Sequence, residues 1–173
     1  MTQLPSESSR DPRGAHGALA ALARAATLVA GAALVGMAAT EGWQVFARYV
    51  LNDSPGWTEP VALLLLNTAM SLGAAAGVRA WSHFGFFILV HNTPARLRRV
   101  LQAIACVIVA AVGAGIAIWA AQLLIDGIGI RAAGTVLPQS AVYLPMAIGG
   151  ALMLLFAIER LFVPVAPPAA EPD

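Results

Sequence analysis

Long charge-free runs alternate with short polar stretches along this chain. The uninterrupted runs cover residues 25–40, 60–78, 100–125 and 132–158. A helix rises about 1.5 Å per residue and a bilayer's hydrocarbon core is about 30 Å thick, so about 20 apolar residues make one crossing. The pattern predicts four spans, over about 22–47, 59–79, 100–125 and 141–162. In the last run Pro138 and Pro145 place the helix start between Ser140 and Pro145, because a proline in the first turn removes no intrahelical hydrogen bond. The predicted fold is all-α: a bundle of four transmembrane helices over residues 19–163. Two unfolded tails flank it, residues 1–18, polar and poor in apolar side chains, and residues 164–173, rich in proline.

The first run is short. Its 16 uncharged residues between Arg24 and Glu41 reach about 24 Å at the helical rise. Arg24 can snorkel toward nearby headgroups, but Glu41 is short and the apolar "GWQVFARYV" follows it. A helix running on to Phe46 or Arg48 puts Glu41 one to two turns inside the far interface. Ionisable groups at such depth are functional candidates. On a helix Glu41, Gln44 and Arg48 fall at i, i+3 and i+7 and share a stripe. That stripe has two possible partners, the chain itself or a second subunit.

Composition fixes the class. With 59% hydrophobic and 11% charged residues and a mean hydropathy of +0.76, the chain is far from a soluble domain and reads as an integral membrane protein. A formal charge of +1 carries no sign of nucleic-acid binding. All ten basic residues are arginine. With both termini cytoplasmic, eight arginines lie inside and only Arg48 and Arg131 outside, a clear positive-inside bias. The stretch "RYVLNDSPGWTEP" then faces outward. The basic "RAWSHFGFFILVHNTPARLRR" faces the cytoplasm and reads as a helix end plus an interfacial piece.

Candidate chemistry is sparse. The chain has no Gly-rich phosphate loop, no metal-ligand spacing and no nucleophile paired with a base, which predicts a non-enzyme with no bound cofactor or metal. His83 and His91 both lie in the basic segment, and Cys106 reads as a packing residue. Small residues recur in "GAALVGMAA", "GAAAG", "AAVGAGIA" and "AIGGALM", which permits close helix approach on several faces. Around residue 58 the helix-start signals converge, with Thr58 as N-cap, Glu59 at the dipole-favoured first position and Pro60 second. Trp57, Trp43 and Tyr49 fit an interfacial aromatic belt.

The run Arg48, Tyr49, Asn52, Ser54, Trp57, Thr58, Glu59 resembles the small membrane subunit, of DctQ type, of tripartite ATP-independent periplasmic (TRAP) transporters. The likeness continues in Arg79 and His83 four apart, in "PARLRR", and in "LPMAIGGALMLL" with Pro145, and it covers about residues 22–163. It implies a bacterial inner-membrane subunit working with a large permease subunit (DctM type) and a periplasmic solute-binding protein (DctP type). A sodium gradient drives such systems, which import organic acids such as C4-dicarboxylates or sugar acids. With the resemblance, the polar stripe Glu41, Gln44 and Arg48 becomes a candidate subunit boundary, Asn52, Ser54, Trp57, Thr58 and Glu59 a candidate periplasmic face and helix start, and Arg79 with His83 a candidate cytoplasmic anchor. Pro60 stands where the family commonly has a second acidic residue, and "FGFFILV" is less charged than the usual counterpart. Two other classes compete with this reading: a haem- or quinone-binding membrane anchor of a respiratory enzyme, and a small autonomous exchanger using Glu41.

Overall fold

The computed structural model describes residues 12–53, 55–80, 94–132, 134–135 and 138–162. Helix α1 spans Pro12–Phe46 and runs into a π-helical turn, Ala47–Leu51. Helix α2 is Thr58–Ala80 and α3 is Ala95–Asp126. A 3-10 turn at Gln139–Val142 leads into α4, Tyr143–Phe162. Four helices are long and apolar enough to cross a membrane, over Gly17–Leu51, Thr58–Ala80, Arg99–Asp126 and Gln139–Phe162. Among the described residues no strand forms. The main departure from the sequence expectation is at the start. Helix α1 begins at Pro12, inside the stretch read as tail, because "GALAALARAA" is rich in the best helix-forming residue and Pro12 fits a first turn. The expected interfacial piece lies between Ala80 and Ala95, outside the described residues.

The helices are not packed in chain order. Helix α2 touches α1 on one side and α4 on the other, and α3 packs against α4. Consequently α2 and α4 run parallel, and the connection between α2 and α3 joins helices that do not pack along each other. One end of the molecule gathers Ala80, Ala95 and Phe162, the terminal end. The other holds the two short connections after α1 and after α3, the hairpin end.

Each contact has a distinct chemistry. On α1 the less exposed positions are Leu19, Ala23, Ala26, Ala30, Ala33, Met37, Thr40, Gln44 and then Ala47 of the π turn, in alternating steps of four and three, with Ala20 and Gly36 beside them. That is the heptad seam of a left-handed helix pair, here built mainly from alanine so that α2 can approach closely. Ala26 and Ala30 pack with Leu72, while Ala23 meets Ala75 of α2 and Phe156 of α4. Phe156 is fully buried and is the largest side chain of this three-helix junction. Thr27 and Thr40 return their hydroxyls to the carbonyls of Ala23 and Gly36, at 3.0 and 2.9 Å, so neither carries an unmet donor into lipid.

Contacts to α4 are tighter still. A Cβ on Gly150 would come within 2.7 Å of the Ala117 nitrogen and 2.8 Å of the Gly113 carbonyl, both on α3. A Cβ on the preceding Gly149 would come within 2.5 Å of the Ser71 Cβ and 2.8 Å of the Ser71 backbone, on α2. Successive residues on a helix point about 100° apart, so this glycine pair admits one backbone on each of two faces. Next to it the Ser71 hydroxyl lies 2.6 Å from the Asn67 carbonyl and 2.9 Å from the Pro145 carbonyl, tying α2 to the first turn of α4.

Gly150→Leu is expected to lower the thermal midpoint of the purified chain by separating α3 from α4, at a cost of about 1–3 kcal/mol or more. Gly31→Ala, at a glycine with open space around it, should leave the midpoint unchanged or raise it. Equal losses for both variants would contradict the packing described.

Candidate functional site

Helix register sets the depth of the charged groups. Gly36 lies against Leu65, and Ala30 against Gly73. Counting on from these pairs along the antiparallel helices puts Glu41 level with residues 60–62 and Gln44 with 57–59, so Arg48 lies beyond the start of α2. Glu41 therefore stands beside the first turn of α2, nearer the interface than its place in the sequence suggests. The predicted single stripe also divides. Gln44 sits half-buried on the α2-facing seam, whereas Glu41 and Arg48, seven apart, lie exposed on its flank. The reason is that contact with α2 selects a 3.5-residue seam, and that seam includes position 44 but leaves 41 and 48 together on one side. No ion pair joins Glu41 to Arg48 or to any other described residue.

The hairpin end is fastened by backbone. Ala47 accepts hydrogen bonds from the N–H groups of Asn52 and Asp53, the latter at 3.1 Å. Asn52 takes the left-handed conformation, φ 52° and ψ 30°, which asparagine tolerates better than most residues and which ends the helical path. Thr58 is the first helical residue, one place later than an N-cap. It is fully buried, and its hydroxyl donates to the Pro55 carbonyl at 2.8 Å. The cap position falls to Trp57, whose carbonyl accepts the Val61 N–H at 3.3 Å. Burial explains the shift, since a buried hydroxyl bonded to the loop cannot also reach the N–H groups of the first turn. Glu59 stays exposed in that turn, where the dipole favours it. Trp57 is partly exposed, as are Trp43 and Phe46, whose rings are 5.8 Å apart. Ser54 lies outside the described residues.

Across the same end Gly134, at φ +75°, abuts Gly56. A Cβ on Gly134 would sit 2.5 Å from the Gly56 carbonyl carbon, so the two connections meet backbone to backbone. The buried Ser140 hydroxyl has no partner among the described residues.

At the terminal end the structure brings together residues that the sequence left apart. Arg79, the expected anchor, makes a two-pronged ion pair with Glu159 of α4, Nε to Oε2 at 3.0 Å and Nη2 to Oε1 at 3.2 Å. Its guanidinium also stands 6.0 Å from the centre of the Phe156 ring. Arg160 donates to the Arg79 carbonyl and so satisfies one of the last carbonyls of α2. Arg79 and Glu159 are both largely withdrawn from solvent, where a fork-shaped pair is worth more than on an open surface. His83 lies outside the described residues. Sequence reasoning missed Glu159, Arg160 and Phe156. The available signal was Glu159 itself, the lone acidic residue after Asp126 and before the C-terminal tail.

Residues 37–166 match the family model of the tripartite ATP-independent periplasmic transporters, DctQ component. The chain belongs to the DctQ family. No curated protein matches it significantly. The DctQ match begins at Met37 and so takes in the whole hairpin end and α2 to α4, with the Arg79–Glu159 clamp inside it. The alanine-rich first two thirds of α1 precede it. DctQ proteins are one component of a three-part transporter rather than an enzyme family, and four spanning-type helices make this member a multi-pass membrane protein.

Arg79→Gln and Glu159→Gln are each expected to destabilise the purified chain by about 1–3 kcal/mol, because each leaves a partly buried charge unmet. The double variant should lose less than the two singles combined. Additive losses in a thermal-melt double-mutant cycle would show that the pair does not act as a unit.

Proposed function

We propose that this DctQ chain is the small permease subunit of a TRAP transporter in a bacterial inner membrane, bracing a large DctM-type subunit rather than carrying substrate. The family match over residues 37–166 is the observation that carries this reading. The packing supports it. Backbone contact at Gly149 with Ser71 and at Gly150 with Gly113 and Ala117 leaves no room for a substrate path between α2 and α4 or between α4 and α3. The large subunit holds that path in this proposal, with sodium as the coupling ion, and a DctP-type periplasmic binding protein delivers an organic acid such as a C4-dicarboxylate or sugar acid.

In this arrangement Glu41 and Arg48 supply charges for the subunit boundary. Both are exposed at the hairpin end and neither has an ionic partner within the described chain, and the exposed rings of Trp43 and Tyr49 lie close by in sequence. Gln44 acts inward, on the α1–α2 seam. Asn52, Trp57 and Glu59 belong to the periplasmic surface offered to the binding protein, and Thr58 holds its shape from beneath. The arginine bias supports an orientation with both chain ends in the cytoplasm.

Co-purification with the large subunit tests the boundary. Exchanging the charges in the Glu41→Arg/Arg48→Glu variant should lower the recovered complex at least tenfold while the thermal midpoint of the isolated chain is unchanged. Undiminished recovery would remove these residues from the interface. Reporter fusions at the C-terminus should read as cytoplasmic, and a periplasmic signal would overturn the orientation.

A further inference from the structure

The described part of helix α3 reaches farther toward the terminal end than the described part of α4. Gly113 faces Gly150, Met153 and Leu154, and Ala117 faces Gly150. Counting on from these contacts puts Phe162, the last described residue of α4, level with residues 101–105 of α3. Residues 95–100 of α3 therefore project beyond the described part of α4, about 9 Å at the helical rise. The described part of α2 ends near the level of Glu159 on α4, since Arg79 pairs with it. With α2 at 23 residues spanning about the hydrocarbon thickness, the projecting turns enter the headgroup layer.

Two properties meet on those turns. Arg96 and Arg99 are exposed and three apart, so they are neighbours on one face. No Asp or Glu occurs from Pro60 to Ile125, and neither arginine has an ionic partner among the described residues. Directly beside them Val100, Ile104 and Val107, four and three apart, form an exposed apolar stripe that runs back along α3 into the span. Arginines crowding the start of a helix, where the dipole is also positive, repel one another unless an anion intervenes.

We propose that Arg96 and Arg99 clamp the phosphate of an anionic phospholipid whose acyl chain lies along Val100, Ile104 and Val107. The phosphate accepts hydrogen bonds from the two guanidinium groups, which suit its geometry better than ammonium groups would. The apolar stripe distinguishes this occupant from a free anion, since only a lipid fills both parts. The clamp fixes the depth of α3, which otherwise meets the rest of the described protein along a single seam on α4 and the turn before it. This site is independent of the transporter reading.

Native mass spectrometry of the full chain, purified in detergent and titrated with phosphatidylglycerol or phosphatidylcholine, tests the proposal. Wild type should retain phosphatidylglycerol more tightly. At about 1 kcal/mol per arginine near the membrane surface, R96Q or R99Q should weaken that retention about fivefold, and the pair about thirtyfold. R96K/R99K should keep most of it, and R24Q/R131Q, which removes the same charge elsewhere, should keep all of it. If R96Q/R99Q does not fold, the single variants carry the same test. Equal retention of both lipids by wild type, equal losses for R96Q/R99Q and R24Q/R131Q, or displacement of the lipid by millimolar inorganic phosphate would each overturn the proposal.

Discussion

Helix α4 carries two adjacent glycines, and each lets a different neighbour reach its backbone. Gly149 meets Ser71 of α2, and Gly150 meets Gly113 and Ala117 of α3, at distances where any side chain would collide. In lipid the hydrophobic effect gives helices no reason to associate, so close van der Waals contact and hydrogen bonds must do so. The order α1, α2, α4, α3 follows from that constraint. Helix α2 sits on one glycine and α3 on the other, and α1 is left to pair with α2 through its alanine seam.

Polar ties sit at each level of the α2–α4 contact. About midway along α2 the Ser71 hydroxyl reaches the Pro145 carbonyl, and at the terminal end Arg79 and Glu159 form their fork. Each tie satisfies a group that would be costly to leave unmet at that depth. Together with Phe156 at the junction of α1, α2 and α4, they hold a compact three-helix core. Among the described charges without an ionic partner, Glu41 and Arg48 at one end and Arg96 with Arg99 at the other are exposed, away from that core. Such a distribution, with Arg79 and Glu159 paired inside and charges exposed outside, suits the accessory role proposed above.

Much of this was legible in the sequence. Charge-free runs gave four spans of the right length and place, and the residues from Arg48 to Glu59 carried the family likeness. What could not be read was which of several equivalent features would meet a neighbour. Gly31 and Gly150 look alike in sequence, yet one faces open space and the other a backbone. Gln44 shares a helical stripe with Glu41 and Arg48 on a 3.6-residue period, and only contact with α2 shows that a tighter seam separates them. Arg79 and Glu159 are 80 positions apart on helices that are not consecutive, so no local pattern links them. Thr58 carried the helix-start signal, but its burial turned the hydroxyl to Pro55 instead.

Uptake in proteoliposomes tests the central claim most directly. The chain alone, the large permease subunit alone, and the two together would each be supplied with a sodium gradient, a loaded binding protein and a radiolabelled organic acid. The account predicts uptake only when both membrane subunits are present. Uptake by this chain alone would contradict it and would make Glu41 a carrier group rather than a contact.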